Sequence, residues 1–107
     1  MSTTKTYETV KVEKEGGITW VILNRPEKRN AMNPQMHYDM LDAVVELETD
    51  EETRVLILTG AGDSGCAGQD LKQFFRDLDN KPAERRRAGW ASQEWRWRRL
   101  FTFPKPT

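Results

Sequence analysis

Residues 18–34 read ITWVILNRPEKRNAMNP and contain a predicted strand, a loop and the start of a predicted helix. The β-branched, apolar run Ile18–Leu23 predicts a strand. Pro26 ends this pattern, because proline has no N–H to donate to a sheet. Asn33 and Pro34 predict a helix start, since Asn caps helix N-termini and Pro fits the first helical position.

The helix that follows is predicted to be amphipathic. Its apolar face consists of Met36, Met40, Ala43, Val44 and Leu47, whereas Asp39, Asp42, Glu46 and Glu48 lie off that face. Residues 55–59 show no polar alternation, which predicts a short strand buried on both faces. Residues 18–59 therefore predict a βαβ unit with a right-handed crossover, and an α/β fold.

The segments on either side extend this unit. Residues 9–14 alternate between apolar and polar side chains, which predicts a strand, and Gly16 and Gly17 suit a tight hairpin turn back to residue 18. The sheet is therefore expected to have about three strands. Further helices are predicted over residues 70–78 and 83–103. In the second of them Trp90, Trp97 and Phe101 share one stripe, and Trp95 lies off it.

Length and composition exclude several classes of protein. A chain of 107 residues and 12.5 kDa is expected to form one domain rather than two. The longest apolar run, residues 55–58, is too short to span a bilayer. The polar residues 1–14 do not predict a secretory signal. Cys66 is the only cysteine, so neither an internal disulfide nor a cysteine-based zinc site is expected. We expect a cytoplasmic protein.

The formal net charge of zero conceals a strong asymmetry. Residues 1–84 carry 10 basic and 16 acidic side chains, whereas residues 85–107 carry seven basic ones and only Glu94. This basic, Trp-rich end is compatible with a non-catalytic module that binds single-stranded nucleic acid. The alternative is an amphipathic helix whose Trp face packs and whose Arg face is solvated. The acidic first part of the chain argues against a dedicated nucleic-acid protein.

Two small-residue segments are candidate sites. Residues 60–65, GAGDSG, fit the pattern G-x-G-x-x-G of dinucleotide sites, with Glu84 about 20 residues further on. The predicted helix starts too late for that motif, which favours another purpose for the glycines. Residues 66–72, CAGQDLK, lead into a helix N-terminus whose free N–H groups suit an anion or an oxyanion. The alternative is an ordinary loop with Asp70 as the helix cap.

Other polar residues give weaker signals. Residues 24–32, NRPEKRNAM, form a loop with three cations that could meet phosphates, although a solvated turn explains the same pattern. His37 is predicted at the edge of the buried helix face, without a role. Cys66 is predicted to be a small buried side chain, because no His is paired with it in sequence.

Three segments taken together resemble the crotonase superfamily, the enoyl-CoA hydratase/isomerase family. They are ILNRPEKRNAM at residues 22–32, LILTGAG at residues 56–62 and AGQDLK at residues 67–72. Within this superfamily the chain is most similar to the p-hydroxycinnamoyl-CoA (feruloyl-CoA) hydratase/lyases, through ASQEWRW at residues 91–97 and KPT at residues 105–107. The resemblance implies that residues 1–107 form the N-terminal part of a crotonase-type ββα spiral that assembles as trimers or hexamers.

The resemblance also assigns site residues. It implies an acyl-CoA thioester as substrate, so that coenzyme A is part of the substrate and no further cofactor or metal is required. Two backbone N–H groups hold the thioester carbonyl in this family, and the first matches Gln69; each such donor contributes on the order of 3 kcal/mol. Lys28, with Arg29 beside it, matches the position that meets the CoA phosphates. The segments that wrap adenine and pantetheine match Ala31, Ala67, Gly68, Gln69, Asp70, Leu71 and Lys72.

The implied reaction is hydration of a hydroxycinnamoyl-CoA followed by retro-aldol cleavage to an aromatic aldehyde and acetyl-CoA. Phe74 stands where these enzymes carry a Tyr that contacts the phenolic oxygen, so the preference for 4-hydroxylated substrates is open. An enoyl-CoA hydratase or isomerase for aliphatic chains is the alternative. The chain stops before the segment that supplies the second oxyanion N–H and the catalytic Glu. We therefore expect an N-terminal fragment that is inactive alone.

Overall fold

The structure is a computed structural model that describes residues 3–62 and 81–104. In these ranges the strands are β1 (Thr3–Thr6), β2 (Val10–Glu15), β3 (Ile18–Leu23) and β4 (Val55–Gly60). The helices are a 3₁₀-helix (Pro26–Lys28), α1 (Pro34–Glu48), α2 (Pro82–Gln93) and a π-helical segment (Glu94–Arg99). No helix within these ranges is long and apolar enough to cross a membrane.

The strands form one mixed sheet in the order β1-β2-β3-β4. The hairpin between β2 and β3 is antiparallel and turns at Gly16 and Gly17, whose φ angles of +59° and +87° favour glycine. Strands β3 and β4 are parallel, with α1 between them in the chain. The predicted βαβ unit is therefore confirmed, as is the predicted turn. The sequence predicts about three strands, and β1 is an additional strand at one edge of the sheet.

Helix α1 begins as the sequence predicts. The Asn33 side chain accepts the backbone N–H of Met36 at 2.9 Å, and Pro34 occupies the first turn. Together with the sheet and one residue of the π-helical segment, α1 forms a single core. This core consists of Val10, Val12, Val21, Leu23, Met36, Met40, Ala43, Val44, Leu47, Leu56 and Trp95. All five apolar residues predicted for the buried face of α1 belong to it.

The prediction that Asp39 lies off the buried face is wrong. Asp39 is 4% exposed. Its Oδ2 accepts the backbone N–H of Thr9 at 2.9 Å and the hydroxyl of Thr9 at 2.6 Å, and its Oδ1 accepts from Gln35 at 2.8 Å. A carboxylate is stable in the protein interior when donors satisfy both oxygens, and here they come from Thr9, directly before β2, and from α1 itself.

The prediction that residues 55–59 are buried on both faces is also wrong. Leu56 is 1% exposed, but Ile57 and Leu58 are 38% and 40% exposed. Consecutive strand residues point to opposite faces, so both faces of β4 are open at this point. In the part of the chain that the structure describes, no element covers these two side chains.

The predicted continuous helix over residues 83–103 departs from the structure in its second half. After Gln93 the chain continues as the π-helical segment, which holds more residues per turn and rotates the following side chains. Trp95 is therefore buried at 2% exposure, whereas Trp90, Trp97 and Phe101 are 56%, 68% and 82% exposed. The residue predicted to lie off the stripe is the one that packs.

Candidate functional site

A compact loop of residues 25–31 follows β3 at the carboxyl edge of the sheet. We call it the cation loop, because it carries Lys28 and Arg29. Pro26 opens its 3₁₀-turn, and the Arg29 N–H donates to the Pro26 carbonyl at 3.0 Å. Arg29 and Asn30 have φ angles of +54° and +57°. Two consecutive left-handed residues reverse the chain, so that the loop returns to the sheet before α1 begins.

Hydrogen bonds of Arg25 and Asn30 close the cation loop. The Asn30 N–H donates to the Arg25 carbonyl, and the Asn30 Oδ1 accepts the Arg25 N–H, both at 2.8 Å. The Arg25 guanidinium donates to the Ala31 carbonyl at 2.6 Å. Asn30 is completely buried and Arg25 is 6% exposed. The loop therefore has a buried polar interior that fixes its backbone.

The end of β4 lies beside the cation loop. Because β3 and β4 are parallel and Leu23 pairs with Gly60, both strands end at the same edge. The Ala61 N–H donates to the Leu23 carbonyl at 2.8 Å, and the Ala61 carbonyl accepts from Asn30 Nδ2 at 2.9 Å. Gly62 has a φ angle of +80°, and a Cβ there would lie 3.2 Å from Pro26 Cβ. The first glycines thus pack directly against the loop.

The structure places part of the predicted site on this edge. Lys28 and Arg29 are exposed on the outer side of the cation loop, and Ala31 is half-buried after it. Two adjacent exposed cations on a rigid backbone suit a multiply charged anion such as a phosphate ester. The other predicted site residues lie outside the described residues, and their roles stay predictions. They are Ala67, Gly68, Gln69, Asp70, Leu71, Lys72 and Phe74, and the prediction for Cys66 stays open for the same reason.

Sequence reasoning missed the environment of His37. This side chain is completely buried, not at a helix edge, and its Nδ1 accepts the indole N–H of Trp95 at 3.1 Å. The ring centroids are 6.4 Å apart. The spacing of His37 from Met40 and Val44 fits a helix face that contains all three, which is a signal for burial. His37 and Trp95 together join α1 to the π-helical segment.

The basic end is partly neutralised within the chain. Arg99 donates to Glu94 at 3.0 Å and lies 3.2 Å from a Glu48 carboxylate oxygen on α1. The hydrogen bond to Glu94 raises the pKa of the Arg99 guanidinium above its usual range. The Arg98 guanidinium lies 3.6 Å from a carboxylate oxygen of Glu94, and the Arg96 guanidinium donates to the Ser92 hydroxyl at 2.9 Å. These contacts engage the three arginines within the chain, but Trp90 and Trp97 are exposed, so the alternative in which the Trp face packs is wrong for these two side chains.

Within residues 3–62 and 81–104, no three His, Cys, Asp or Glu side chains are grouped so that they could hold a metal ion. Lys28 and Arg29 are exposed at the loop edge, beside backbone that leads into the glycine-rich segment, and their role in binding an anion stays a prediction.

Comparison with known proteins identifies the family of the chain. The family profile of enoyl-CoA hydratase/isomerase matches residues 13–107 of the chain. The chain belongs to this family. A hydroxycinnamoyl-CoA hydratase-lyase from Pseudomonas fluorescens is 47% identical over 102 residues, which are 94% of this chain and 37% of that protein. A 1,2-epoxyphenylacetyl-CoA isomerase from Escherichia coli is 46% identical over 65 residues, which are 61% of this chain and 24% of that protein.

The likeness extends to the fold. The solved structure of a carnitinyl-CoA dehydratase from Mycobacterium thermoresistibile matches with a TM-score of 0.83 and 32% identity, over 94% of this chain and 29% of that one. The expected crotonase-type fold is therefore confirmed for this enoyl-CoA hydratase/isomerase family member. The chain spans less than two fifths of the length of the curated relatives described here.

Proposed function

We propose that the protein containing this chain is an acyl-CoA hydratase-lyase that acts on hydroxycinnamoyl-CoA thioesters. The observation that carries this proposal is the 47% identity to a hydroxycinnamoyl-CoA hydratase-lyase across 94% of the chain. The rigid cation loop beside the glycine-rich segment supports it, because an acyl-CoA substrate brings phosphates and a thioester to the same site.

In the proposed mechanism Lys28 and Arg29 bind the CoA phosphates and so orient the substrate. The backbone N–H of Gln69 donates to the thioester oxygen and stabilises the negative charge that develops there. Water adds its hydroxyl to the β-carbon and a proton to the α-carbon. When the β-hydroxyl then loses its proton, the Cα–Cβ bond breaks, an aromatic aldehyde leaves, and protonation of the thioester enolate gives acetyl-CoA. These steps require no metal or redox cofactor.

Phe74 retains an aromatic ring for contact with a cinnamoyl group but has no hydroxyl to bond a phenol. An enoyl-CoA hydratase or isomerase for aliphatic chains is the second candidate, favoured by the match of the family profile to residues 13–107. We further propose that the complete protein is cytoplasmic and that it forms trimers or hexamers. Light scattering after size-exclusion chromatography measures its molar mass and so tests the oligomeric state.

The substrate test compares two thioesters on the complete gene product that contains this chain. Feruloyl-CoA is expected to yield vanillin and acetyl-CoA in equal amounts, measured by liquid chromatography. Turnover of crotonyl-CoA without release of vanillin from feruloyl-CoA would favour the aliphatic alternative. Salt-dependent affinity for single-stranded nucleic acid without affinity for CoA would favour a non-catalytic binding module instead.

A matched pair of variants tests the assigned cations. The double variant Lys28→Ala/Arg29→Ala is expected to raise KM for the CoA thioester about a hundredfold or more, since each of two charge-assisted bonds to phosphate is worth about 1.5–3 kcal/mol. Lys11→Ala, which removes a half-buried cation of β2 that pairs with Glu13, serves as the control and is expected to leave KM unchanged.

A further inference from the structure

Asn30 holds the cation loop together from the inside. Its N–H and its Oδ1 both bond the backbone of Arg25, and its Nδ2 bonds the carbonyl of Ala61, with all three distances between 2.8 and 2.9 Å. The side chain is completely buried. Its bonds link the two ends of the cation loop to each other and then to the end of β4.

Lys28 and Arg29 sit on the backbone that this arrangement fixes. The Lys28 N–H donates to the Arg25 carbonyl at 2.9 Å, and the Ala31 N–H donates to the Lys28 carbonyl at 3.0 Å. Both cationic side chains are exposed, so protein contacts hold their backbone rather than their charged ends. The closed loop therefore determines the position from which the Lys28 and Arg29 side chains extend into solvent. Because Asn30 closes the loop, it determines that position too.

The backbone conformation of Asn30 supports a special role for the residue type. Its φ angle of +57° lies in the left-handed region, where Asn is tolerated better than most residues with a Cβ. Glycine adopts this conformation without strain but provides no side-chain bonds. The contributions of backbone conformation and of side-chain hydrogen bonds can therefore be separated by substitution.

We propose that Asn30 is a positioning residue that holds Lys28 and Arg29 at the place where they bind the phosphates of the acyl-CoA substrate. This inference rests on the proposed function, because it takes the ligand of the two cations to be the CoA phosphates. Asn30 itself makes no contact with substrate. It acts through the loop backbone, and its loss affects binding of the phosphate-bearing part of the ligand alone.

The test compares two ligands on the complete gene product, coenzyme A and phosphate-free pantetheine, by competition titration. Asn30→Gly preserves the backbone conformation and removes the side-chain bonds to Arg25 and Ala61. It is expected to weaken CoA binding about tenfold, the scale of one or two hydrogen bonds, and to leave pantetheine binding within about twofold. A purely structural role would reduce both affinities in proportion to the folded fraction, which circular dichroism measures.

Asn30→Asp tests the amide donor separately. Its carboxylate can still accept the Arg25 N–H, but its second oxygen faces the Ala61 carbonyl with no hydrogen to donate. Because an unsatisfied charge is costly in a buried site, a loss of CoA affinity at least as large as that of Asn30→Gly is expected. Asn33→Ala is the matched control, because it also removes a side-chain bond of a buried Asn, at the start of α1, and is expected to lower stability without changing the ratio of the two affinities.

The outcomes distinguish the inference from the function on which it rests. Equal affinity of Asn30→Gly and the unsubstituted protein for CoA would overturn the positioning role, as would equal weakening of CoA and pantetheine. The proposed function would survive either result. Failure of the unsubstituted protein to bind CoA would overturn both.

Discussion

The hydrogen bond between Trp95 and His37 joins two parts of the chain that are 58 positions apart. Because Nδ1 of His37 accepts the indole N–H, the neutral ring carries its proton on Nε2. Both side chains are buried, so the bond is shielded from competing water. The large indole also fills core volume between α1 and the π-helical segment.

Trp95→Phe is expected to destabilise the protein by about 2–4 kcal/mol, because it removes the donor to a buried acceptor and leaves part of the indole volume empty. The urea midpoint, followed by circular dichroism, measures the change. Trp97→Phe alters a side chain that is 68% exposed and is expected to change stability by no more than about 0.5 kcal/mol. Equal effects of the two substitutions would contradict the packing role of Trp95.

Strand β1 is an element that the sequence pattern does not predict. Its residues, TTKT, have no apolar alternation, so no strand was predicted. The strand depends on pairing with β2, where Lys5 lies opposite Val12, and on contacts with α1. The Lys5 ammonium lies 2.7 Å from a Glu46 carboxylate oxygen, and the Tyr7 hydroxyl donates to that oxygen at 3.1 Å.

This ion pair predicts a pH dependence of stability. The hydrogen bond to Lys5 lowers the pKa of Glu46 below its usual 4.5, and the same bond raises the pKa of Lys5 above its usual 10.5. The Glu46 contribution is fully present above pH 4.5 and is lost as the pH falls through the lowered pKa. The Lys5 contribution is fully present below pH 10.5 and is lost as the pH rises through the raised value.

Glu46→Gln is therefore expected to lower the urea midpoint slightly near neutral pH, with the difference from the unsubstituted protein vanishing toward strongly acidic and strongly alkaline pH. The effect is small because both side chains are about half exposed. Glu51→Gln changes an exposed carboxylate elsewhere and serves as the control. A difference that persists undiminished at the lowest pH would mean that charge pairing is not its source.

Predictions from the sequence succeeded where the signal is local. The Asn33 cap and the turn at Gly16 and Gly17 depend on a few neighbouring residues, and the structure contains both. No proline or glycine marks the change from α2 to the π-helical segment at Gln93 and Glu94. An α-helical periodicity assumed across this point therefore predicts the wrong face for Trp95, which is buried. The burial of Asp39 depends on Thr9, which is 30 positions away.

The same distinction applies to the candidate site. The cations Lys28 and Arg29 are recognisable from sequence because a short motif contains them. The closure of their loop by Asn30 depends on Ala61, 31 positions further on, and no local pattern indicates it. Resemblance to a family assigned the residues, but the structure was needed to find what holds them in place.

At the scale of the whole molecule, one core joins both described ranges. Trp95 packs in the same cluster as apolar side chains of β2, β3, α1 and β4, and Arg99 bridges from the π-helical segment to Glu48 of α1. The second described range therefore has little apolar burial of its own. Only a small cluster around Ala88, with Tyr38 of α1 packed against it, lies apart from the main core within these ranges.

Because this core is shared, the sheet and the C-terminal helices are expected to unfold together. Replacing Trp20, Trp90 and Trp97 by Phe leaves Trp95 as the single indole reporter of the core. Its fluorescence and the far-ultraviolet circular dichroism should then give coincident urea transitions, as two-state unfolding requires. A fluorescence transition at lower urea would mean that α2 and the π-helical segment detach first. The contact of Trp95 with His37 would then be too weak to couple the two parts, and the destabilisation expected for Trp95→Phe would be confined to those helices.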